Sequence, residues 1–235
     1  MNFEFKRHFI EKKGYMKLIN HIELTDRVYL ILKEMILNGE LEPGQKIVQE
    51  KLSEKLGISR SPLLKALQRL EHEFLVESIP RRGIYVKKMS LGEILDIFYV
   101  REVFEGLAAR LAARKITSQE LLNLKSLFSP FEENSVNINL NEYQNADRLF
   151  HPLIYKIANN PVLSKLEMIG NVTIIAYQAG LVRPPQETLN EHLGIIKALE
   201  HGDGNLAEEI SRKHIRESTR FLEEKLKSIE LESLN

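Results

Sequence analysis

The segment Glu50–Val86, EKLSEKLGISRSPLLKALQRLEHEFLVESIPRRGIYV, decides how the chain is read. Val48, Leu52 and Leu56 recur at the spacing of one helical face, and Gly57 ends that run, with Ile58 placed to fill the corner of a tight turn. Ser59 or Ser61 can cap a second helix, with Pro62 near its first helical position, where a missing N–H costs nothing. Leu63, Ala66, Leu67 and Leu70 point inward along it, which leaves Arg60, Ser61, Lys65, Gln68 and Arg69 outward or near its start. Two helices joined by a short Gly-containing turn make a helix-turn-helix, whose second helix enters the major groove N-terminus first. Leu75–Ile79 and Ile84–Lys87 then predict two strands around Pro80, Arg81, Arg82 and Gly83, a wing whose basic tip can reach phosphates or the minor groove. An αα-corner with a hairpin has the same outline without DNA. A Gly-Ile-Ser-Arg-Ser-Pro turn followed by a basic tip is much narrower and favours DNA.

This segment resembles the winged helix of GntR-family bacterial transcription regulators, whose signature runs approximately Leu-Gly-Val-Ser-Arg-x-Pro-Val-Arg-Glu-Ala-Leu, then Gly-Leu-Val and a basic-Gly wing. Leu56–Leu67 and Leu75–Val86 match most of it, and Ile36–Gln45 resembles the connection that precedes it. The resemblance implies DNA contacts from Ser59, Arg60, Ser61, Arg82 and Gly83; Lys65 and Arg81 join them as outward cations on the same helix and wing tip. Two departures stand out. Leu64 replaces the family's second recognition-helix arginine, with Lys65 where Glu is usual, and Glu50 replaces a frequent arginine on the preceding helix, beside Lys51. Leu cannot make a bidentate guanine contact and Lys offers only a point charge, so the operator is expected to differ from the family's commonest half-sites.

At 235 residues and 43% apolar composition the chain can hold one large or two ordinary globular domains. It has no cysteine, which excludes disulfides and thiolate metal sites. No apolar run approaches a membrane span and Met1–Asn20 lacks the apolar segment of a signal peptide, so the expected location is the bacterial cytoplasm. The formal net charge is zero, but residues 1–90 carry 17 Lys and Arg against 12 Asp and Glu, and residues 91–235 carry 16 against 21. A basic first part and an acidic second part fit a DNA-binding module joined to one that leaves DNA alone.

Taken in order, residues 1–20 are expected to be a disordered tail without function, and Met16 is an alternative start that would leave Met1–Tyr15 outside the native protein. Residues 21–88 are the winged helix, whose first helix is predicted from Thr25 as N-cap to Asn38-Gly39. Residues 89–92 form a linker with Ser90 as a good N-cap. Residues 93–230 are expected to be an all-α effector-binding and dimerisation bundle of about six helices, near 91–114, 118–132, 139–159, 161–180, 185–201 and 203–228. The fold class is therefore mainly α, with a small sheet in the wing.

Histidines fall inside these helices where a core would want Leu. Tyr143, Asp147, Phe150, His151 and Ile154 share one face; Leu189, His192, Ile196 and Leu199 share another; Ala207, Ile210, His214, Ser218 and Phe221 a third. Burying three imidazoles and a carboxylate unpaired is costly, and joint coordination of a divalent cation is the simplest compensation. Separate hydrogen bonds to each are the alternative. His8, His21, His72 and His201 read as surface residues.

Residues 91–228 resemble the FCD ligand-binding domain of the FadR subgroup of that family, through Tyr99-x-Arg101-x3-Glu105, Asp147-x3-His151, Glu191-His192 and His214. The resemblance implies that Asp147, His151, His192 and His214 ligate one metal per chain, with Zn²⁺ or Ni²⁺ suited to imidazole and Mn²⁺ also admitted. It points to Arg101, whose fork matches a carboxylate, and to Thr188 as effector contacts. Together these features imply a homodimeric, ligand-responsive regulator of operator DNA, usually a repressor, that senses a small carboxylate. The rivals are a metal-dependent hydrolase and a DNA binder whose metal is only structural.

Overall fold

The computed structural model describes residues 15–132, 137–166, 175–176 and 180–232. The chain divides into two units, Met1–Lys88 and Met89–Asn235. In the first unit the order is α1 (Tyr15–Leu37), β1 (Lys46–Ile47), α2 (Gln49–Leu56), α3 (Arg60–His72), β2 (Val76–Ile79) and β3 (Gly83–Val86). Gly57 closes α2 in the left-handed region at φ 64°, its N–H bonding Glu54 O and that of Ile58 bonding Ser53 O. These paired bonds turn the chain sharply into α3. Ser59 is the N-cap of α3 by backbone geometry without a side-chain cap bond, and Pro62 sits in the first turn. Leu63, Ala66, Leu67 and Leu70 are buried to 1% exposure or less, as their spacing predicted.

Two sequence expectations are corrected in this unit. α1 begins at Tyr15, so Thr25 lies inside the helix rather than at its start. Residues 15–24, YMKLINHIEL, contain neither Gly nor Pro, and nothing in them stops a helix. The rest of the expected tail, residues 1–14, lies outside the described residues. Val48 is the N-cap of α2 and 45% exposed rather than part of an inward face. Ile47 pairs with Ile84 across β1 and β3, which holds the chain extended up to Val48. That strand is two residues long, too short to show a period. The sheet order is β1-β3-β2, all antiparallel, with Ile79 opposite Gly83. Arg81 therefore sits at the tip of a three-residue loop at φ 64°, where Arg82 N–H bonds Ile79 O.

A polar clamp ties α1 to the end of α3. The Tyr29 hydroxyl reaches both oxygens of Glu73 at 2.7 and 2.9 Å, and Lys33 Nζ bonds Glu73 Oε2 at 2.9 Å. The Arg69 guanidinium lies 3.7 Å from the Tyr29 ring centre.

The second unit contains α4 (Leu91–Ala112), α5 (Ser118–Glu132), α6 (Leu140–Ala158), α7 (Leu163–Leu166), α8 (Pro185–Glu200) and α9 (Gly204–Glu232). Ser90 opens α4 with a reciprocal capping box to Glu93. α4 and α9 pack along much of their length, with Gly106 against the Arg212 side chain and Gly204 against the Arg110 backbone. At Gly204 a Cβ would lie 2.8 Å from the Arg110 carbonyl oxygen, so only glycine admits that approach. Phe128, Phe150, Leu124 and Ile195 fill the middle. Most of the helix predicted over 161–180 lies outside the described residues. On α9 the buried positions are Ala207, Ser211, His214, Ile215, Thr219 and Leu222, whereas Ile210, Ser218 and Phe221 are half-buried. The helix packs against both α4 and α8, which widens its buried stripe beyond one spacing. No described helix is long and apolar enough to cross a membrane.

Leu63→Ala is expected to destabilise the first unit by about 2–5 kcal/mol in urea denaturation, because it removes a fully buried side chain. Leu64→Ala, one residue on but 39% exposed, is expected to stay within about 0.5 kcal/mol.

Candidate functional site

Asp147 and His151 come from α6, His192 from α8 and His214 from α9, and all four are buried. One ligand atom from each lies within 4.8 Å of the others. Each imidazole has its Nδ1 engaged by a different partner behind it. His151 Nδ1 is 2.6 Å from Glu105 Oε2, His192 Nδ1 is 2.9 Å from the Tyr143 hydroxyl, and His214 Nδ1 is 2.8 Å from Glu191 Oε2. With Nδ1 held, Nε2 is the free ligand atom of each ring. Those of His151 and His192 stand 3.5 and 3.1 Å from Asp147 Oδ1. His192 Nε2 is fully buried without an aligned hydrogen-bond partner. Outer carboxylates and hydroxyls that fix the tautomer of an imidazole are the usual surroundings of metal-ligating histidines. The donor set, three borderline nitrogens and one hard oxygen, suits Zn²⁺, Ni²⁺ or Mn²⁺.

The electrostatics follow from packing charges this closely. Burial would raise the Asp147 carboxyl, but hydrogen bonds and charge from His151 and His192 outweigh it and hold the group well below its ordinary range. Burial likewise opposes ionisation of Glu105, yet Arg101 and His151 lower it to about 2. His151, penalised by burial but flanked by Glu105 and Asp147, rises to about 9. His192 falls to about 4, first through burial and then through His214 beside it. Glu191 also lies near 2, because His214 and Arg183 outweigh its burial.

A cavity of about 30 Å³ adjoins the cluster, bounded by Phe98, Arg101, Arg183, Thr188, Ile215 and Ser218 along with Asp147, His151 and His214. That is room for two or three water-sized atoms as it stands, on the order of 10–15 Å³ each. Arg101 is 2% exposed; its Nε bonds Glu105 Oε1 at 2.6 Å, and its Nη1 has no hydrogen-bond partner. A salt bridge to Glu105 and an available donor thus coexist on one guanidinium. Thr188 Oγ1 shares a 2.8 Å hydrogen bond with the Tyr143 hydroxyl, so it both lines the cavity and steadies the partner of His192. Arg183 grips Glu191 through two bonds of 2.8 and 3.2 Å.

Of these side chains, Tyr143 and Arg183 carried no role in the sequence reading. Tyr143 shares the face of Asp147 and His151, but its partner lies 49 positions away on another helix. Arg183 sits beside the Pro184-Pro185 break, where nothing local points at Glu191.

In the first unit Ser59, Arg60, Ser61 and Lys65 are exposed at the start of α3, and Arg81 and Arg82 are exposed at the wing tip beside half-buried Gly83. Gly83 adopts φ 109°, a conformation that side chains resist. Arg60 Nη2 bonds Glu50 Oε1 at 2.9 Å.

Residues 24–86 match the family described as bacterial regulatory proteins, gntR family, and residues 96–217 match the FCD domain. The chain is similar to the HTH-type transcriptional repressor RspR of Escherichia coli, at 26% identity over 83% of this chain and 86% of that protein. It is also similar to the galactonate operon transcriptional repressor of E. coli, at 27% identity over 85% of this chain and 97% of that protein. Among solved structures, that of E. coli McbR/YncC shares the fold, with a TM-score of 0.69 and 24% identity over 86% of this chain and 98% of the other.

Glu105→Ala leaves Arg101 as a buried charge without its carboxylate and is expected to cost about 3–5 kcal/mol in urea denaturation with chelator present. Glu102→Ala removes only the partly exposed pair with Arg216 and is expected to cost less than about 1 kcal/mol in the same measurement.

Proposed function

The chain belongs to the GntR family of bacterial transcription regulators, in the branch that carries an FCD domain, and we propose that it is a repressor controlled by a small carboxylate held beside a divalent metal. The family and its named relatives are DNA-binding regulators rather than enzymes. The observation that carries the metal reading is that one ligand atom from each of Asp147, His151, His192 and His214 lies within 4.8 Å of the others, while Glu105, Tyr143 and Glu191 stand at Nδ1 of the three rings and Nε2 of His151 and His192 faces Asp147. Asp147, His151, His192 and His214 are the proposed ligands, one ion per chain.

A bound Zn²⁺, Ni²⁺ or Mn²⁺ would supply an open Lewis-acidic position for one effector oxygen. The chain's own contribution is to orient the rest of that effector. Arg101 Nη1 is a buried donor without a partner on the wall of the cavity, and a carboxylate answers it with a charge-assisted hydrogen bond. Thr188 and Ser218 add hydroxyls on the same wall, which suits a hydroxy acid or sugar acid. A relative named for repressing a galactonate operon fits that class.

Ser59, Arg60, Ser61, Lys65, Arg81, Arg82 and Gly83 are the proposed DNA contacts. Two copies of the chain would read a pseudo-palindromic operator as a homodimer, in the bacterial cytoplasm where that DNA lies. The effector controls repression only if it binds the DNA-competent and DNA-incompetent states with different affinity.

Full-length protein purified without chelator or a histidine tag is expected to hold about one equivalent of transition metal, lost in His192→Ala. Hydroxy-acid and sugar-acid panels are expected to raise the melting temperature of the metal-loaded protein but not of Arg101→Leu, and the stabilising acid should change DNA affinity by tenfold or more, on the order of 1.4 kcal/mol. Metal in neither protein after incubation with Zn²⁺, Ni²⁺ or Mn²⁺ would sink the metal centre. Metal retained with DNA affinity indifferent to every acid would make the ion structural.

A further inference from the structure

The exposed surface of the helix-turn-helix carries a carboxylate where a DNA-binding face would be expected to carry none. Glu50, in the first turn of α2, and Arg60, at the first position of α3, meet at 2.9 Å through Oε1 and Nη2. Both side chains are about two-thirds exposed, at 68% and 65%. An exposed pair of this kind adds little to folding stability. Its consequence lies in what it presents outward. The guanidinium has five N–H donors, of which this contact occupies one, and the carboxylate has further lone pairs. Side by side they offer a donor fork next to an acceptor.

The major-groove edge of a G·C pair reads as two acceptors on guanine, N7 and O6, followed by the N4 amino donor of cytosine. That is the complement of an arginine fork followed by a carboxylate. An A·T pair offers an acceptor, a donor and an acceptor in turn, which faces the fork with a donor and the carboxylate with an acceptor. One turn further along α3, on the outward side, Leu64 is 39% exposed. It has no donor or acceptor to give a base, and the thymine 5-methyl is the groove feature that an aliphatic side chain can contact favourably.

We infer that Glu50 is a specificity-determining residue that completes Arg60 as a reader of a whole G·C pair, and that Leu64 reads a neighbouring thymine methyl. This rests on the DNA-binding reading of the winged helix. The carboxylate faces polyanionic DNA, so Glu50 gives up general affinity in return for discrimination.

The test is selection from a random-duplex library by the full-length protein, beside Glu50→Ala and Leu64→Ala, with binding of the enriched duplex measured at fixed salt. Both positions are exposed, and thermal melting of each variant checks its fold. The wild type is expected to enrich a G·C pair with a thymine within about two base pairs. Glu50→Ala should lose about tenfold of its preference for that G·C pair over A·T while binding random duplex as tightly or more tightly. Replacing the selected thymine by uracil should weaken the wild type several-fold and leave Leu64→Ala unchanged. The inference is overturned if Glu50→Ala keeps the same G·C preference, or if uracil is tolerated equally by wild type and Leu64→Ala. A wild type that enriches no duplex would overturn the DNA-binding reading itself, a result distinguishable from either of these.

Discussion

Burying one aspartate and three histidines together is the constraint around which the helical unit is arranged. A carboxylate and three imidazoles cannot leave water unless other groups answer them, and the interior shows the answer on every side. Glu105, Tyr143 and Glu191 stand behind the three rings, Arg101 and Arg183 neutralise the two outer carboxylates, and Thr188 holds Tyr143. These partners come from α4, α6, α8 and the segment before α8, so each helix is fixed to the others by a polar contact as well as by apolar packing. Removing one partner would leave a neighbour charged and dry. The cluster therefore demands the positions of its surroundings, not only of its ligands.

The aromatic shell makes the same demand in apolar terms. Phe128 stacks on His192 at 4.6 Å between ring centres, and Phe150 meets the edges of both His151 and His192 at 5.3 and 5.0 Å. Water is excluded on that side, which strengthens every charge interaction within the cluster. The open side is the small cavity bounded by Arg101, Thr188 and Ser218. Arg101, whose Nη1 is buried without a hydrogen-bond partner, is part of its wall.

The winged helix solves a different problem, presenting cations to solvent from a small core. Leu63, Ala66, Leu67 and Leu70 anchor α3 completely, so its opposite face can hold Arg60, Ser61, Leu64 and Lys65 without concern for burial. Left-handed backbone at Gly57 and Gly83 makes the two sharp changes of direction that put α3 and the wing tip where they are. The clamp of Tyr29, Lys33, Arg69 and Glu73 fixes α1 against the end of α3.

The sequence by itself determined the elements and placed one aspartate and three histidines at inward positions of the helices. Periodicity located the recognition helix, the wing and the helices of the bundle whose residues are described, because inward positions repeat every three or four residues whatever their neighbours are. It also put Asp147 and His151 on one face and His192 among apolar neighbours, since a polar residue in an apolar stripe is visible locally. What periodicity could not see were contacts between elements distant in the chain. The two-residue β1 that unseats Val48, the broader buried stripe of α9, the grip of Arg183 on Glu191, the bond from Tyr143 to His192 and the pairing of Glu50 with Arg60 were decided only by the tertiary structure. Each depends on which surfaces come within a few ångströms of one another, and that distance is a property of packing rather than of spacing along the chain.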